Sequence, residues 1–73
     1  MEYTKTFIVN YRNEAGYKPY YHKRAFTIKI QTDELGFYTN STYKQILEAL
    51  TDCARKQEKT DKVTIVWYQL QRS

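Results

Sequence analysis

The sequence contains little of what small domains use to reinforce a small core. It has one cysteine, Cys53, and one histidine, His22, so it can form no intrachain disulfide and lacks the four ligands of a structural zinc site. A core of this size rarely contributes more than about 3–5 kcal/mol by itself. We therefore expect further stabilisation to come from a homo-oligomer or from a bound protein partner.

Residue types suited to catalysis are also scarce. His22 has no second histidine to act with, and Cys53 falls on the apolar side of a predicted helix, where it fills the core. The acidic residues are scattered, and Gly16 and Gly36 are isolated, so the sequence shows neither a carboxylate pair nor a phosphate-binding loop. We predict a non-enzymatic protein that holds no metal and no cofactor.

Long apolar segments are missing as well. No run approaches the roughly 18 apolar residues of a membrane span, and the N-terminal residues lack the apolar centre of a signal peptide. The chain of 73 residues is too short for two separate cores. We therefore expect a single domain over residues 1–73 that is cytoplasmic and has no membrane partner.

Strand and helix patterns follow one another along the chain. Residues 3–11 and 20–32 alternate apolar and polar side chains, which predicts two strands, and residues 63–70 predict a third. Between them, apolar residues recur at spacings of three and four up to about Lys59, which predicts a helix whose core-facing residues include Ile46, Leu47 and Leu50. Thr42 with Gln45 predicts a capping box at its start, although Ser41 or Asn40 could cap the helix instead. In the connector before the helix, Leu35 and Phe37 are expected to fold back onto the core.

These elements predict an α+β fold of the order β-β-α-β, with one helix packed on one face of a three-stranded sheet. The first two strands should be antiparallel, whereas a helical crossover favours a parallel third strand, so we expect a mixed sheet. The third strand is apolar on both faces, which favours a central position, although it could lie either between the first two strands or beside them, next to the first strand. Simple alternation divides it into one face with Val63, Ile65 and Trp67 and another with Val66, Tyr68 and Leu70.

The face that the helix leaves uncovered is the first candidate for an interaction. An exposed apolar area on a small domain often marks a binding surface, and unpaired strand edges can pair with another chain. The predicted interface residues on this face are Ile8, Val66, Tyr68 and Leu70.

The second candidate is the segment YKPYYHKR, residues 17–24, in a chain with a net charge of +4. Interleaved aromatic and basic side chains suit single-stranded nucleic acid, because bases stack on rings while cations neutralise phosphates. Tyrosine is also a common strand former, and basic residues protect strand edges, so a purely structural explanation remains open. The predicted binding residues are Tyr17, Lys18, Tyr21, Lys23, Arg24 and Lys29. Strand alternation favours Tyr21, Lys23 and the loop pair Tyr17 and Lys18 among them.

Two functional hypotheses result. The first is a small binding module that contacts nucleic acid through the tyrosine, lysine and arginine side chains of the first hairpin. The alternative is a homodimeric protein-interaction or inhibitor module, of the kind found among accessory proteins of phages and mobile elements, that acts through the uncovered sheet face and the strand edges.

Overall fold

The computed structural model of the protein describes residues 1–72. Over this range the chain forms three strands and one helix. They are β1 (Glu2–Asn13), β2 (Tyr20–Gln31), α1 (Asn40–Glu58) and β3 (Val63–Leu70). The prediction of an α+β protein with a three-stranded sheet and one helix is confirmed.

The sheet has the strand order β2-β1-β3, and both neighbouring pairs are antiparallel. The prediction of a mixed sheet is therefore wrong. The central position favoured for β3 is also wrong, and the strand takes the alternative position beside β1. Because β2 and β3 both run antiparallel to β1, they run parallel to each other, as expected for two strands joined by a helix. The crossover places them on either side of β1 instead of side by side, so no adjacent pair is parallel.

Helix α1 covers one face of this sheet, and the core lies between them. Alternate side chains of a strand point to opposite faces, so the buried residues of each strand come from every second position. The buried core consists of Phe7, Val9 and Tyr11 of β1, Ile28 and Ile30 of β2, Ile46, Leu50 and Ala54 of α1, and Val63 of β3. The uncovered side of the sheet is called the open face below.

The helix begins slightly earlier than the sequence suggests. Thr39 is its N-cap, and the side chains of Thr39 and Thr42 each accept a hydrogen bond from the other residue's backbone N–H. The box predicted between Thr42 and Gln45 does not form, because the Gln45 side chain accepts from the N–H of Gln31 at 2.9 Å. At the other end Lys59 is left-handed, with φ of 56°, which ends the helix near the predicted position.

A β-bulge in β3 changes which residues face the helix. Tyr11 pairs with Ile65 and the preceding Asn10 pairs with Trp67, so Val66 is an extra residue without a partner in β1. Ile65 and Tyr68 consequently face α1, while Trp67 faces the open side. The predicted orientations of Trp67 and Tyr68 are therefore wrong, because that prediction assumed unbroken alternation.

Three apolar residues expected in the core are exposed instead. Leu35 and Phe37 lie in the connector before α1, and Leu47 lies on the outer side of α1. The Asp33 carboxylate accepts the N–H groups of Leu35 and Phe37, at 3.0 and 2.8 Å, and thereby closes the connector into a tight turn. This turn leaves Tyr38, and not Phe37, packed against the core.

The molecule is elongated, with principal extents of 46 × 24 × 16 Å. Within residues 1–72, no helix has both the length and the apolar character needed to cross a membrane.

Candidate nucleic-acid interface

On the open face, residues that pair across the three strands form rows. The row centred on Asn10 brings a basic and an aromatic side chain together. Asn10 of β1 pairs with Lys23 of β2 on one side and with Trp67 of β3 on the other. The Lys23 Nζ atom lies 5.7 Å from the centre of the Trp67 ring, within the range of a cation–π interaction. Trp67 is 40% exposed, so part of this ring remains open to solvent.

The next row adds a second aromatic and a second basic residue. Arg12 of β1 pairs with Tyr21 of β2 and with Thr64 of β3. Tyr21 is 60% exposed and lies one row away from Trp67, on the opposite outer strand. Together, Arg12, Tyr21, Lys23 and Trp67 are called the aromatic–basic patch.

One acidic residue, Glu14, lies at this patch. Its carboxylate accepts a hydrogen bond from Nε of Arg12 at 2.7 Å and another from the Thr64 hydroxyl at 3.2 Å. The bond from Arg12, followed by that from Thr64, lowers the pKa of Glu14, while the bond to Glu14 raises the pKa of Arg12. Both groups are therefore charged at neutral pH. Because the pair is solvent-exposed, it contributes little to the stability of the fold. Arg12 can therefore exchange Glu14 for another anion.

The hairpin loop extends the patch at its Arg12 end. Tyr17 and Lys18 are both exposed in this loop. A surface depression lined by Arg12, Glu14, Gly16, Tyr17 and Pro19 connects the loop with the second row of the sheet. The structure therefore places Tyr17 of the predicted loop pair beside Arg12, at one end of the patch.

Lys29 shares the open face but lies far from the patch. It pairs with Thr4, six residues along β2 from Lys23. This corresponds to about 20 Å along a strand. The hydroxyl groups of Thr6 and Thr27, 2.8 Å apart, occupy the surface between them.

Arg24 lies on the other side of the sheet. Its Nε atom donates to the Tyr11 hydroxyl at 3.1 Å and lies 3.9 Å from Oε2 of Glu58. The same Oε2 accepts from the Tyr11 hydroxyl at 2.8 Å, while Oε1 accepts from Nδ2 of Asn13 at 3.0 Å and lies 3.3 Å from Nε2 of His22. Arg24 thus belongs with His22 to a group around Glu58, which we call the Glu58 cluster.

The polar groups of the Glu58 cluster satisfy one another. Hydrogen bonds from Asn13 and Tyr11 lower the pKa of Glu58, against the opposing effect of burial. Burial, and then the bond to Glu58, raises the pKa of Tyr11. In the part of the chain that the structure describes, no buried side-chain nitrogen or oxygen lacks a partner. The cluster therefore ties the end of α1 to β1 and β2. Nothing in the sequence pairs Glu58 with residues so distant in the chain.

Within residues 1–72, neither the cysteine thiol nor the potential metal ligands form a reactive or metal-binding site. Cys53 is half-buried beside the core, and this burial raises the pKa of its thiol. The described residues contain no group of three or more histidine, cysteine, aspartate or glutamate side chains placed to hold a metal ion.

The four predicted interface residues do not share one face. Ile8 is half-buried on the open face, whereas the Tyr68 ring packs edge-on against Phe7 on the helix side, with 5.9 Å between ring centres. Val66 lies at the bulge, and Leu70 pairs with Phe7 near the end of β3. Val66 is exposed at the bulge of the outer strand, whereas Leu70, also exposed, lies on the helix side with its partner Phe7 and not on the open face.

Trp67 is the patch residue that sequence reasoning assigned to the wrong surface. Its sequence context, VTIVWYQL, is apolar on both faces and contains no glycine or other residue that announces a bulge. Only the pairing with β1 identifies Val66 as the extra residue.

Comparisons with known proteins add no identity to this geometry. No protein-family model, curated protein or solved structure matches the chain.

Proposed function

We propose that the protein binds single-stranded nucleic acid on the open face of its sheet. The observation that carries the proposal is the Lys23 ammonium group positioned 5.7 Å over the exposed Trp67 ring. Tyr21 and Arg12 in the next row repeat the same combination of ring and cation. Such surfaces bind single strands because bases stack on the rings while the cations neutralise phosphates.

The flat shape of the site favours a single strand over a duplex. Bases in a duplex are already stacked on one another, whereas unpaired bases can be spread over aromatic side chains. Trp67 and Tyr21 lie on the two outer strands, which are separated by about 10 Å, or two strand spacings. Arg12 lies on the central strand between these rings, and Lys23 extends from β2 to the Trp67 ring, so both cations can reach the phosphates that connect two stacked bases.

Arg12 can also change its partner when nucleic acid binds. In the free protein its guanidinium group contacts Glu14. A phosphate that approaches the patch competes with Glu14 for the same donor, and its bond to Arg12 is charge-assisted. Binding therefore requires only that an exposed ion pair exchange partners, without any change in the sheet.

Binding of a labelled single-stranded oligonucleotide across a salt series tests the proposal. Affinity should fall as salt rises, and Lys23→Ala should weaken binding and reduce the slope of log affinity against log salt by about 0.7, the value for one phosphate contact on a single strand. Lys44→Ala removes an equal charge from the exposed surface of α1 and should leave both quantities unchanged. Absence of binding at low salt, or equal losses in the two variants, would contradict the proposal.

A further inference from the structure

We propose that two copies of the chain pair through the outer edge of β3 and form a continuous six-stranded antiparallel sheet. This inference goes beyond nucleic-acid binding, because different residues carry it and it can be tested without nucleic acid. It also gives the predicted homo-oligomer a defined surface.

The two edges of the sheet differ in charge. Strand β2 carries Lys23, Arg24 and Lys29 and no acidic residue, so two copies of it would bring like charges together. Strand β3 carries no charged residue, and its exposed side chains include Val66 at 48% and Leu70 at 43%. Lysine and arginine commonly protect strand edges from pairing, and only the β2 edge has this protection.

Backbone hydrogen bonds show which groups of β3 remain free. The N–H of Gln71 donates to Thr6 at 2.9 Å, and at the other end the carbonyl of Lys62 accepts from Glu14 at 2.8 Å. In an antiparallel pair, directly opposed residues alternate between exchanging both bonds and exchanging none. Counting inward from both ends, the residues whose N–H and C=O groups point away from β1 are Val63, Ile65, Tyr68 and Leu70.

The bulge at Val66 makes these four residues match a second copy. When two β3 strands pair antiparallel over their full length, Val63 meets Leu70 of the second copy and Ile65 meets Tyr68 of the second copy. In a regular strand this pairing would place a residue whose backbone N–H and C=O groups point away from β1 opposite a residue whose groups point toward β1. The extra residue shifts the alternation by one position, so outward groups meet outward groups along the whole edge.

In this pairing, the side chains of opposed residues also lie on the same face of the sheet. Ile65 pairs with Tyr11, and Tyr68 pairs with Val9, so both lie on the helix side of the sheet. The pairing therefore keeps both helices on one side and joins the two open faces on the other. Each Trp67 then lies close to the two-fold axis, and the two aromatic–basic patches form one surface.

The chain exposes more surface than a compact monomer of its mass. Its accessible surface is 5546 Å². A folded monomer of 8.8 kDa would expose about 4,800 Å², so the chain exposes roughly 750 Å² more than expected for its mass. A standard interface buries about 800 Å² on each partner.

Sedimentation equilibrium from micromolar to millimolar protein, without nucleic acid, tests the pairing. We expect the mass to rise to twice the 8.8 kDa of the chain. Val66→Lys brings two cations together near the axis and should keep the protein monomeric, whereas Leu47→Lys alters a site on α1 that is equally exposed, at 47%, and should not. If Val66→Lys fails to fold by circular dichroism, Leu70→Lys near the end of the strand replaces it.

Amide hydrogen exchange locates the contact directly. The N–H groups of Ile65 and Leu70 should exchange quickly in dilute protein and slowly where the dimer forms, because only the second copy covers them. A monomeric mass at millimolar concentration overturns the proposal. So does a dimer that survives the lysine substitutions or leaves these two amides unprotected, since it would use another surface.

Discussion

Glu58 occupies a position that is unfavourable for a carboxylate. It is the last residue of α1, where the helix dipole disfavours negative charge. Its pKa is nevertheless lowered, because Asn13 and Tyr11 donate hydrogen bonds to it and His22 and Arg24 lie nearby. All four partners come from the β1–β2 hairpin, so this single side chain connects the helix end to two strands.

Glu58→Gln should therefore destabilise the fold by about 1.5–3 kcal/mol, the range for hydrogen bonds to a charged group. Because the pKa of Glu58 is lower in the folded protein than in the unfolded chain, its contribution is complete above about pH 4.3 and is lost as the pH falls through the folded-state value. Urea unfolding of both proteins, at neutral pH and in acid, measures this difference.

The difference between wild type and Glu58→Gln should be largest at neutral pH and should shrink in acid. Glu48→Gln, at an exposed position of the same helix, is the matched control and should have little effect at either pH. A difference between wild type and Glu58→Gln that grows on acidification would show that the sign of the linkage is wrong.

Glu14 gives a prediction in the opposite direction, a gain of binding. Glu14→Gln removes the anion that contacts Arg12 and leaves this guanidinium group free for phosphate. We expect oligonucleotide affinity to increase severalfold at low salt and the increase to diminish at high salt, because screening weakens it. Glu34→Gln makes the same change in net charge in the connector before α1. An equal increase in both variants would mean that overall charge, and not the patch, controls binding.

At the scale of elements, the helix α1 and the bulge in β3 show which features a sequence pattern can predict and which it cannot. Apolar periodicity predicted the helix and its end near Lys59, because that signal spans many residues. The N-cap was assigned too late, because Thr39, Asn40, Ser41 and Thr42 can all cap a helix and only the fold selects among them. The bulge depends on the partner strand and leaves no local signal, so the orientation of Trp67 could not be predicted.

Thr39→Ala should destabilise the protein by about 1 kcal/mol, since the substitution removes the acceptor for the Thr42 N–H. Thr39→Ser retains the hydroxyl oxygen and should restore most of this loss. Ser41→Ala, at the second residue of α1, is the control that separates capping from a general loss of a hydroxyl group. Thermal unfolding gives the comparison, and a larger loss in Ser41→Ala than in Thr39→Ala would refute the assignment of the cap.

At the scale of the whole molecule, the class of the fold could be predicted but the strand order could not. The directions of β2 and β3 follow from the helix that joins them. Whether a third strand inserts between two parallel strands depends on long-range packing, and the apolar character of both faces of β3 pointed to the wrong answer. That character reflects a core-facing side at Ile65 and Tyr68, an exposed Trp67 and an exposed edge at Val66.

The candidate site was predictable only in part, because alternation within a strand can be read from the sequence and strand pairing cannot. Tyr21 and Lys23 lie on the open face, as regular alternation in β2 requires, and Tyr17 and Lys18 lie in the adjoining loop. Arg24, by the same alternation, lies with the Glu58 cluster. Arg12 and Trp67 join the patch only through strand pairing, which brings together residues from three distant segments.

The most direct measurement of the central claim is the emission of Trp67, the only tryptophan of the chain, during titration with a single-stranded oligonucleotide. Stacking of a base on the exposed ring should quench this emission to saturation, and added salt should reverse the quenching as phosphate contacts are lost. In Lys23→Ala the same quenching should require more oligonucleotide. Emission that stays constant at low salt, while the oligonucleotide is bound, would contradict the account, because binding would then take place away from the open face.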